Sequence, residues 1–226
     1  MKNMARLVPL GVLISGSGTN LRAIIDAIEE KRLDAVIQVV ISSREDALGL
    51  ARARKYHIPT EVLDHKKFPD REAYDRALAE ILQSKGVELV ILAGFMRLLS
   101  PLFVKTFSNR IMNIHPSLLP SFPGLHGQKQ AADYGVRFAG CTVHFVNEEC
   151  DQGPIIIQAV VPVFPDDTEE SLSARILKQE HRIYPRAIQL YSEGRLRVVG
   201  RKVLIDGLLK DEDQALVYPP LPPLKG

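Results

Sequence analysis

Short apolar segments alternate with amphipathic ones through the first half of the chain. Residues 7–14, 36–41 and 89–92 are nearly unbroken apolar runs, typical of strands that are buried on both faces of a sheet. Residues 46–56 and 71–84 carry apolar side chains at helical spacing. This alternation predicts an α/β fold with a mostly parallel twisted sheet and helices on both of its faces.

The second half of the chain follows a different pattern. Residues 111–114 predict another strand, but three prolines within residues 116–123 exclude regular structure directly after it. Two β-rich runs, 141–146 and 155–161, are joined by a polar stretch and predict an antiparallel hairpin. A smaller hairpin is predicted over 196–205. The sheet is therefore expected to gain antiparallel strands in the C-terminal half.

Length and composition indicate a single globular domain over residues 1–226, since the sequence shows no repeat and no linker. The 29 basic and 27 acidic residues leave a formal charge of +2, and the basic residues are scattered, so no nucleic-acid or membrane partner is expected. Residues 1–14 are interpreted as a strand rather than a signal peptide, and no run is long enough to span a bilayer. Cys141 and Cys150 are expected to be small buried residues in a reducing, cytoplasmic compartment.

A glycine-rich segment, Ser-Gly-Ser-Gly-Thr-Asn at 15–20, follows the first predicted strand. Backbone N–H groups at the start of a helix attract anions, and glycines allow a ligand to approach closely. Leu21 stands where the dinucleotide fingerprint requires a third glycine, and the lysine of a P-loop is absent. The segment therefore predicts either a phosphate or carboxylate site or a tight turn that holds no ligand.

A second candidate lies at the end of the strand at 111–114. Asn113 and His115 are two residues apart and share one face of the strand, at the sheet edge where open α/β folds bind ligands. An amide and an imidazole suit acyl chemistry, because the amide can stabilise an oxyanion and the imidazole can move protons. Asp151, in the polar stretch 147–154, could hold the His115 ring if the turn folds over the sheet edge, or could be an ordinary turn residue.

Four segments together resemble the phosphoribosylglycinamide formyltransferase family of purine biosynthesis. They are residues 14–21, 93–99, 113–120 and 140–154, in that order. The motif Asn-Ile-His-Pro-Ser-Leu-Leu-Pro at 113–120 is similar to one shared by many formyl-folate enzymes, whereas the glycine-rich opening and Gln179-Glu180-His181 narrow the resemblance to this family. The resemblance implies a Rossmann-like nucleotide-binding half over about 1–110, a folate-binding half over about 111–195 and an unmatched extension over about 196–226.

The resemblance also implies a role for each matching position. The implied catalytic residues are Asn113, His115 and Asp151. The residues implied to hold the ribonucleotide are Gly18, Thr19, Asn20 and Glu180. The residues implied to hold formyl-folate are Arg71, Met96, Arg97, Leu98, Leu99, Asn113, Asn147, Glu148, Glu149, Cys150 and Asp151. Three more could line the site, namely His126, Thr142 and His144. Cys150 departs from the family pattern, which has an aliphatic residue before the aspartate.

The implied reaction transfers the formyl group of 10-formyltetrahydrofolate, a co-substrate, to the glycinamide amine of 5'-phosphoribosylglycinamide. Asn113 and protonated His115 would stabilise the oxyanion, and Asp151 with a bound water would pass the proton. No metal is expected, the partners are small molecules, and the protein is expected to be a monomer or a homodimer.

Three alternatives remain at this stage. Methionyl-tRNA formyltransferase and formyltetrahydrofolate hydrolase normally carry a further domain, for which the residues outside the matched region leave little room. A metal-dependent hydrolase could use His115, His126 and Asp151 as ligands. A non-catalytic module could bind phosphoribosyl groups without turnover.

Overall fold

A computed structural model describes residues 6–208 and residue 216. The strands are β1 (Val8–Ile14), β2 (Ala35–Ser42), β3 (Thr60–Val62), β4 (Leu89–Leu92), β5 (Ile111–His115), β6 (Phe138–Phe145), β7 (Ile155–Pro162), β8 (Leu196–Val199) and β9 (Lys202–Ile205). The α-helices are α1 (Thr19–Glu29), α2 (Leu48–Lys55), α3 (Arg71–Ser84), α4 (Pro101–Thr106), α5 (Gly127–Tyr134) and α6 (Glu169–Ser192).

Within residues 6–208, nine strands form one sheet in the order β3-β2-β1-β4-β5-β6-β7-β9-β8. The strands from β3 to β5 in this order pair in parallel. β6 pairs antiparallel with both β5 and β7, and β8 pairs antiparallel with β9. The predicted parallel sheet with antiparallel strands in the C-terminal half is therefore confirmed.

Helices cover both faces of the sheet, as the alternating pattern predicts. On one face, α1, α2, α5 and α6 pack onto the strands through side chains such as Leu21, Leu50 and Ile176. On the other face, α3 and α4 pack through side chains such as Leu78 and Phe103. Burial of these apolar surfaces is the main force that holds the layers together.

Helix α6 has 24 residues and contains Pro185. The Thr168 hydroxyl caps its first turn by accepting from the Ser171 N–H. The Tyr184 hydroxyl lies 2.9 Å from the carbonyl oxygens of both Leu92 and Met112, so it fixes α6 against β4 and β5. Burial raises the pKa of Tyr184 well above its ordinary value, which keeps the phenol protonated as a donor.

The unmatched extension is described only in part. Its first part forms the predicted hairpin of β8 and β9, which meets β7 at the single pair Ile155 and Lys202. The rest of the extension, residues 209–215 and 217–226, lies outside the described residues. None of the helices that the structure describes is long and apolar enough to cross a membrane.

Candidate active site

The candidate residues gather at the carboxyl edge of the parallel strands. β1 lies between β2 and β4, so the chain turns in opposite directions on either side of it. Open α/β sheets form a ligand crevice at such a position. The glycine-rich segment 15–18 leaves β1 there, the turn 94–100 leaves β4, and His115 ends β5.

The glycine-rich segment has the geometry of an anion site. Gly18 is the N-cap of α1 with φ 69°, and no side chain caps the helix. A Cβ on Gly18 would lie 2.6 Å from the Gly49 Cα, so only glycine lets the loop pack this closely against α2. The first turn of α1 holds no acidic residue, so its backbone N–H groups and the helix dipole favour a negative ligand.

Arg52, Arg54 and Lys55 form a basic cluster on α2, which the sequence alone predicts to be a solvated helix face. In the structure the Arg52 Nε donates to the Ser17 carbonyl oxygen at 2.9 Å. In a trans peptide the carbonyl and the next N–H point in opposite directions, so this bond turns the Gly18 N–H away from Arg52. Periodicity alone could not reveal this contact, since it depends on how α2 packs beside the glycine-rich segment.

Asn20 connects this segment to α6. Its Nδ2 donates to the Glu180 Oε2 at 2.7 Å, and Glu180 is only 7% exposed. Burial raises the pKa of Glu180, and the bond from Asn20 and the charge of His115 act in the opposite direction. Asn20 thus holds the Glu180 carboxyl group by a direct hydrogen bond, and the charge of His115 acts on the same group.

The three implied catalytic residues also come together. β5 carries Asn113 and His115 on one face, where β6 pairs them with His144 and Thr142. The loop after β6 folds back, so that the Asp151 Oδ2 lies 3.4 Å from the His115 Nδ1. This contact is longer than an ordinary N–H···O bond, as is common for catalytic groups before substrate binds.

The backbone around Asp151 is specialised. Asp151 has φ 54°, in the left-handed region that non-glycine residues seldom adopt, and its Oδ2 accepts from the Gly124 N–H at 2.9 Å. Gly153 passes so close to β6 that a Cβ there would lie 1.6 Å from the Phe145 carbonyl oxygen. Strained conformations of this kind cluster at functional sites.

The ring of His115 is held from both sides. It is 5% exposed, and its Nε2 lies 3.0 Å from the Phe122 carbonyl oxygen in the proline-containing loop. A carbonyl oxygen can only accept, so Nε2 carries a hydrogen and donates. The Nδ1 is therefore the nitrogen that faces Asp151.

His144 orients the Asn113 amide. The His144 Nδ1 donates to the Phe145 carbonyl oxygen at 2.9 Å, so its Nε2 must accept from the Asn113 Nδ2 at 3.2 Å when the ring is neutral. Burial lowers the pKa of His144, which favours the neutral ring. One hydrogen of the Asn113 amide is thus committed to His144 and the second remains for another acceptor.

Thr142 supports the loop rather than facing a ligand. Its hydroxyl donates to the Ser117 carbonyl at 2.7 Å and accepts from the Leu119 N–H at 3.1 Å and the Gln158 Nε2 at 3.0 Å. These bonds use its hydrogen-bonding capacity. The sequence shows only a threonine on a strand and gives no signal for this role.

His126 contacts Glu169 on α6 through its side chain. It is the N-cap of α5, its side chain is 70% exposed, and its Nδ1 is 3.4 Å from the Glu169 Oε1. Within the described part of the chain, no three His, Cys, Asp or Glu side chains are grouped as a metal site. His115, His126 and Asp151 therefore do not form the ligand set that a metal-dependent hydrolase would need.

Apart from Arg71 on α3 and Asn113 on β5, the residues implied to hold formyl-folate lie on two segments, the turn after β4 and the loop after β6. In the turn after β4, Met96 and Leu98 are exposed, and the Arg97 guanidinium lies 5.3 Å from the centre of the Tyr74 ring. Leu99 is half-buried, and Arg71 is the exposed first residue of α3.

The second of these segments is the 147–151 loop. Its Glu148 Oε1 lies 3.6 Å from the Lys105 Nζ on α4. Asn147 is half-buried and Glu149 is exposed. The expectation that Cys150 is buried is wrong, because the turn leaves it exposed with its Sγ 3.5 Å from the Asp151 Oδ2, whereas Cys141 is buried.

Comparison with known proteins gives a consistent result. The formyl transferase family matches residues 9–188. The phosphoribosylglycinamide formyltransferase of Escherichia coli (strain K12) is 47% identical over 87% of this chain and 92% of its own length. The crystal structure of glycinamide ribonucleotide transformylase 1 from Symbiobacterium toebii has a TM-score of 0.88 and 55% identity, covering 91% of this chain and 97% of that one. A formyltetrahydrofolate deformylase from Pseudomonas syringae pv. tomato is more distant, at 28% identity and a TM-score of 0.82 over 89% of this chain and 66% of that one.

Proposed function

Since the chain belongs to the formyl transferase family, we propose that it transfers the formyl group of 10-formyltetrahydrofolate to the glycinamide amine of 5'-phosphoribosylglycinamide. The products are formylglycinamide ribonucleotide and tetrahydrofolate, the third step of de novo purine biosynthesis. The observation that carries the proposal is the convergence of Asn113, His115 and Asp151 beside an anion-binding loop, in a chain that is similar along most of its length to named enzymes of this activity.

The ribonucleotide would bind across the glycine-rich segment. Its phosphate would accept from the backbone N–H groups of Gly18, Thr19 and Asn20 at the start of α1. The glycinamide amine would lie towards Glu180, whose buried carboxylate can accept from an ammonium or amine group. The charge of His115 also acts on the Glu180 carboxyl group, where it opposes the rise in pKa that burial causes.

The groups on β5 would stabilise the charge that develops during transfer. As the amine nitrogen bonds to the formyl carbon, the formyl oxygen becomes an oxyanion. The donors that would meet it are the second Nδ2 hydrogen of Asn113 and the Nδ1 hydrogen of protonated His115, which also faces the Asp151 carboxylate at 3.4 Å. Donors that are already in place cost little reorganisation, which is why such groups contribute strongly to catalysis.

Asp151 would manage the proton that the reaction must move. The attacking nitrogen has to lose a proton, and the departing folate nitrogen has to gain one before its bond to the formyl carbon breaks. The Asp151 Oδ2, which lies 3.4 Å from the His115 Nδ1, would relay this proton with a bound water. The net reaction exchanges one C–N bond for another, so no oxidant or reductant is required.

The domain organisation, the cellular compartment and the oligomeric state are part of the same proposal. Residues 1–110 would form the nucleotide-binding half and residues 111–195 the folate-binding half of one domain. The enzyme would act in the cytoplasm on small-molecule substrates, without a metal, as a monomer or homodimer. Mass measurement in solution tests the oligomeric state.

A spectrophotometric assay with the ribonucleotide and 10-formyltetrahydrofolate tests the activity. We expect turnover that needs both substrates, persists with a chelator, and falls about 100–1,000-fold in Asp151→Asn or His115→Ala. His57→Ala, an exposed histidine in another loop, is the matched control. Turnover without the ribonucleotide would indicate a hydrolase instead, and loss of activity with the chelator would indicate a metal enzyme. A folded variant that keeps more than about a tenth of the wild-type activity would remove the substituted residue from the mechanism.

A further inference from the structure

The turn between β4 and α4 is fastened at both of its ends. Near its start, the Met96 N–H donates to the Ser15 Oγ at 3.0 Å. At its end, the Ser100 N–H donates to the Asp75 Oδ2 at 2.5 Å. Two backbone groups of the turn are therefore held by side chains from distant parts of the chain.

Asp75 is an unusual group to bury, because its hydrogen-bond partner, Ser100, carries no charge. It is 1% exposed, and no basic nitrogen of the described residues forms an ion pair with it. Burial raises the pKa of Asp75, while the bonds from Ser100 and the charges of Arg71 and Arg97 act to lower it. A buried carboxylate is costly without good partners, so packing alone does not account for this residue.

Besides Asp75, helix α3 carries two other residues that contact or flank the turn between β4 and α4. Tyr74, which precedes Asp75, is 1% exposed and lies beneath the Arg97 guanidinium. Arg71 lies four residues before Asp75, on the same side of the helix. The first turns of α3 therefore form a base on which the middle and the end of the 96–100 turn rest.

We propose that Asp75 is a positioning residue for formyl-folate, which acts by fixing the Ser100 amide and hence the 96–99 turn. The exposed Met96 and Leu98 side chains offer an apolar edge that a flat heteroaromatic ring can cover, and Arg97 supplies a charge beside it. If the end of the turn is not fixed, these groups spread over several conformations and the ligand must order them when it binds. This inference rests on the proposed function.

Two substitutions at Asp75 separate charge from hydrogen bonding. Asp75→Ala removes the acceptor, whereas Asp75→Asn retains an oxygen of similar position that can accept from Ser100. Losing a hydrogen bond to a charged group corresponds to about tenfold in affinity. We expect the KM for formyl-folate to rise about tenfold in Asp75→Ala and about threefold in Asp75→Asn, with kcat and the KM for the ribonucleotide within about twofold of wild type.

Glu72→Ala is the control for these substitutions. It removes a carboxylate from the exposed side of the same helix, where Glu72 pairs with Arg76, and should leave both KM values unchanged. An equal rise in both KM values, or a fall in kcat alone, would overturn the inference. If Asp75→Ala does not fold, Asp75→Asn decides, since an unchanged KM for formyl-folate contradicts the proposal. A wild-type protein without turnover would refute the proposed function, whereas wild-type turnover with an unaltered Asp75→Ala would refute this inference alone.

Discussion

A single methyl group at residue 153 should displace the loop that carries Asp151. A Cβ on Gly153 would lie 1.6 Å from the Phe145 carbonyl oxygen, whereas real Cβ atoms essentially never come closer than 3.0 Å, so the two backbones must separate by about 1.4 Å. Phe145 is 2% exposed and lies in β6, which is paired on both sides. The loop, rather than the strand, is therefore expected to move.

Asp151 lies two residues before Gly153 and would move with the loop. Its contact with His115 is already loose at 3.4 Å, and a further shift of about 1 Å typically costs about 100-fold in rate. The bond from the Phe145 N–H to the Pro154 carbonyl oxygen, 2.9 Å long, would also weaken, at about 1 kcal/mol of unfolding free energy. Gly153→Ala should thus lose far more activity than stability.

Steady-state kinetics and chemical denaturation of Gly153→Ala measure these two effects separately. Gly194→Ala is the matched control, because Gly194 has φ 68° and, beyond its chain neighbours, no atom of the described residues lies within 4 Å of its Cβ position. The control should lose about 1–2 kcal/mol of stability from its left-handed backbone and keep its activity. Gly153→Ala with a kcat within about threefold of wild type would show that Asp151 does not need the observed position.

Two further predictions concern Thr142 and Glu180. Thr142→Val keeps the shape of the side chain but leaves the buried Ser117 carbonyl and Leu119 N–H without this partner. Chemical denaturation should therefore show a loss of about 2–4 kcal/mol of unfolding free energy. A loss below about 0.5 kcal/mol would contradict the role of Thr142 in supporting the loop. Glu180 has a raised pKa in the folded protein, so the stability linked to its protonation is full below its ordinary pKa of 4.5 and is lost as pH rises through the raised value. Glu180→Gln should therefore gain stability relative to wild type as pH rises above about 4.5, and parallel stability curves would contradict this.

Local patterns were enough to predict the sheet and the placement of part of the site. Strands buried on both faces must be apolar, so β1, β2 and β4 are visible as apolar runs. Strand alternation places Asn113 and His115 on one face, and a parallel strand order places them at the same edge as the glycine-rich segment. These features depend on periodicity and topology, which the sequence carries directly.

The remaining features depend on tertiary contacts that no local pattern encodes. The short helices α4 and α5 give too little periodicity to be recognised. Thr142 acts on the proline-containing loop only because β6 runs beside β5, and Arg52 meets Ser17 only because α2 packs against the glycine-rich segment. The exposure of Cys150 follows from the left-handed turn at Asp151, which a cysteine next to an aspartate does not predict.

The costs in this fold are concentrated where the chemistry is proposed. Asp75 and Glu180 are carboxyl groups that burial destabilises in their charged form, His144 is a buried ring kept neutral, and Asp151 has a left-handed backbone. The two carboxyl groups and the left-handed residue each lower stability relative to a neutral or relaxed replacement, yet all four residues orient a group at the carboxyl edge of the sheet. Because the same desolvation that raises the free energy of Glu180 also strengthens its attraction for a ligand amine, Glu180→Gln should stabilise the fold and weaken ribonucleotide binding in the same variant.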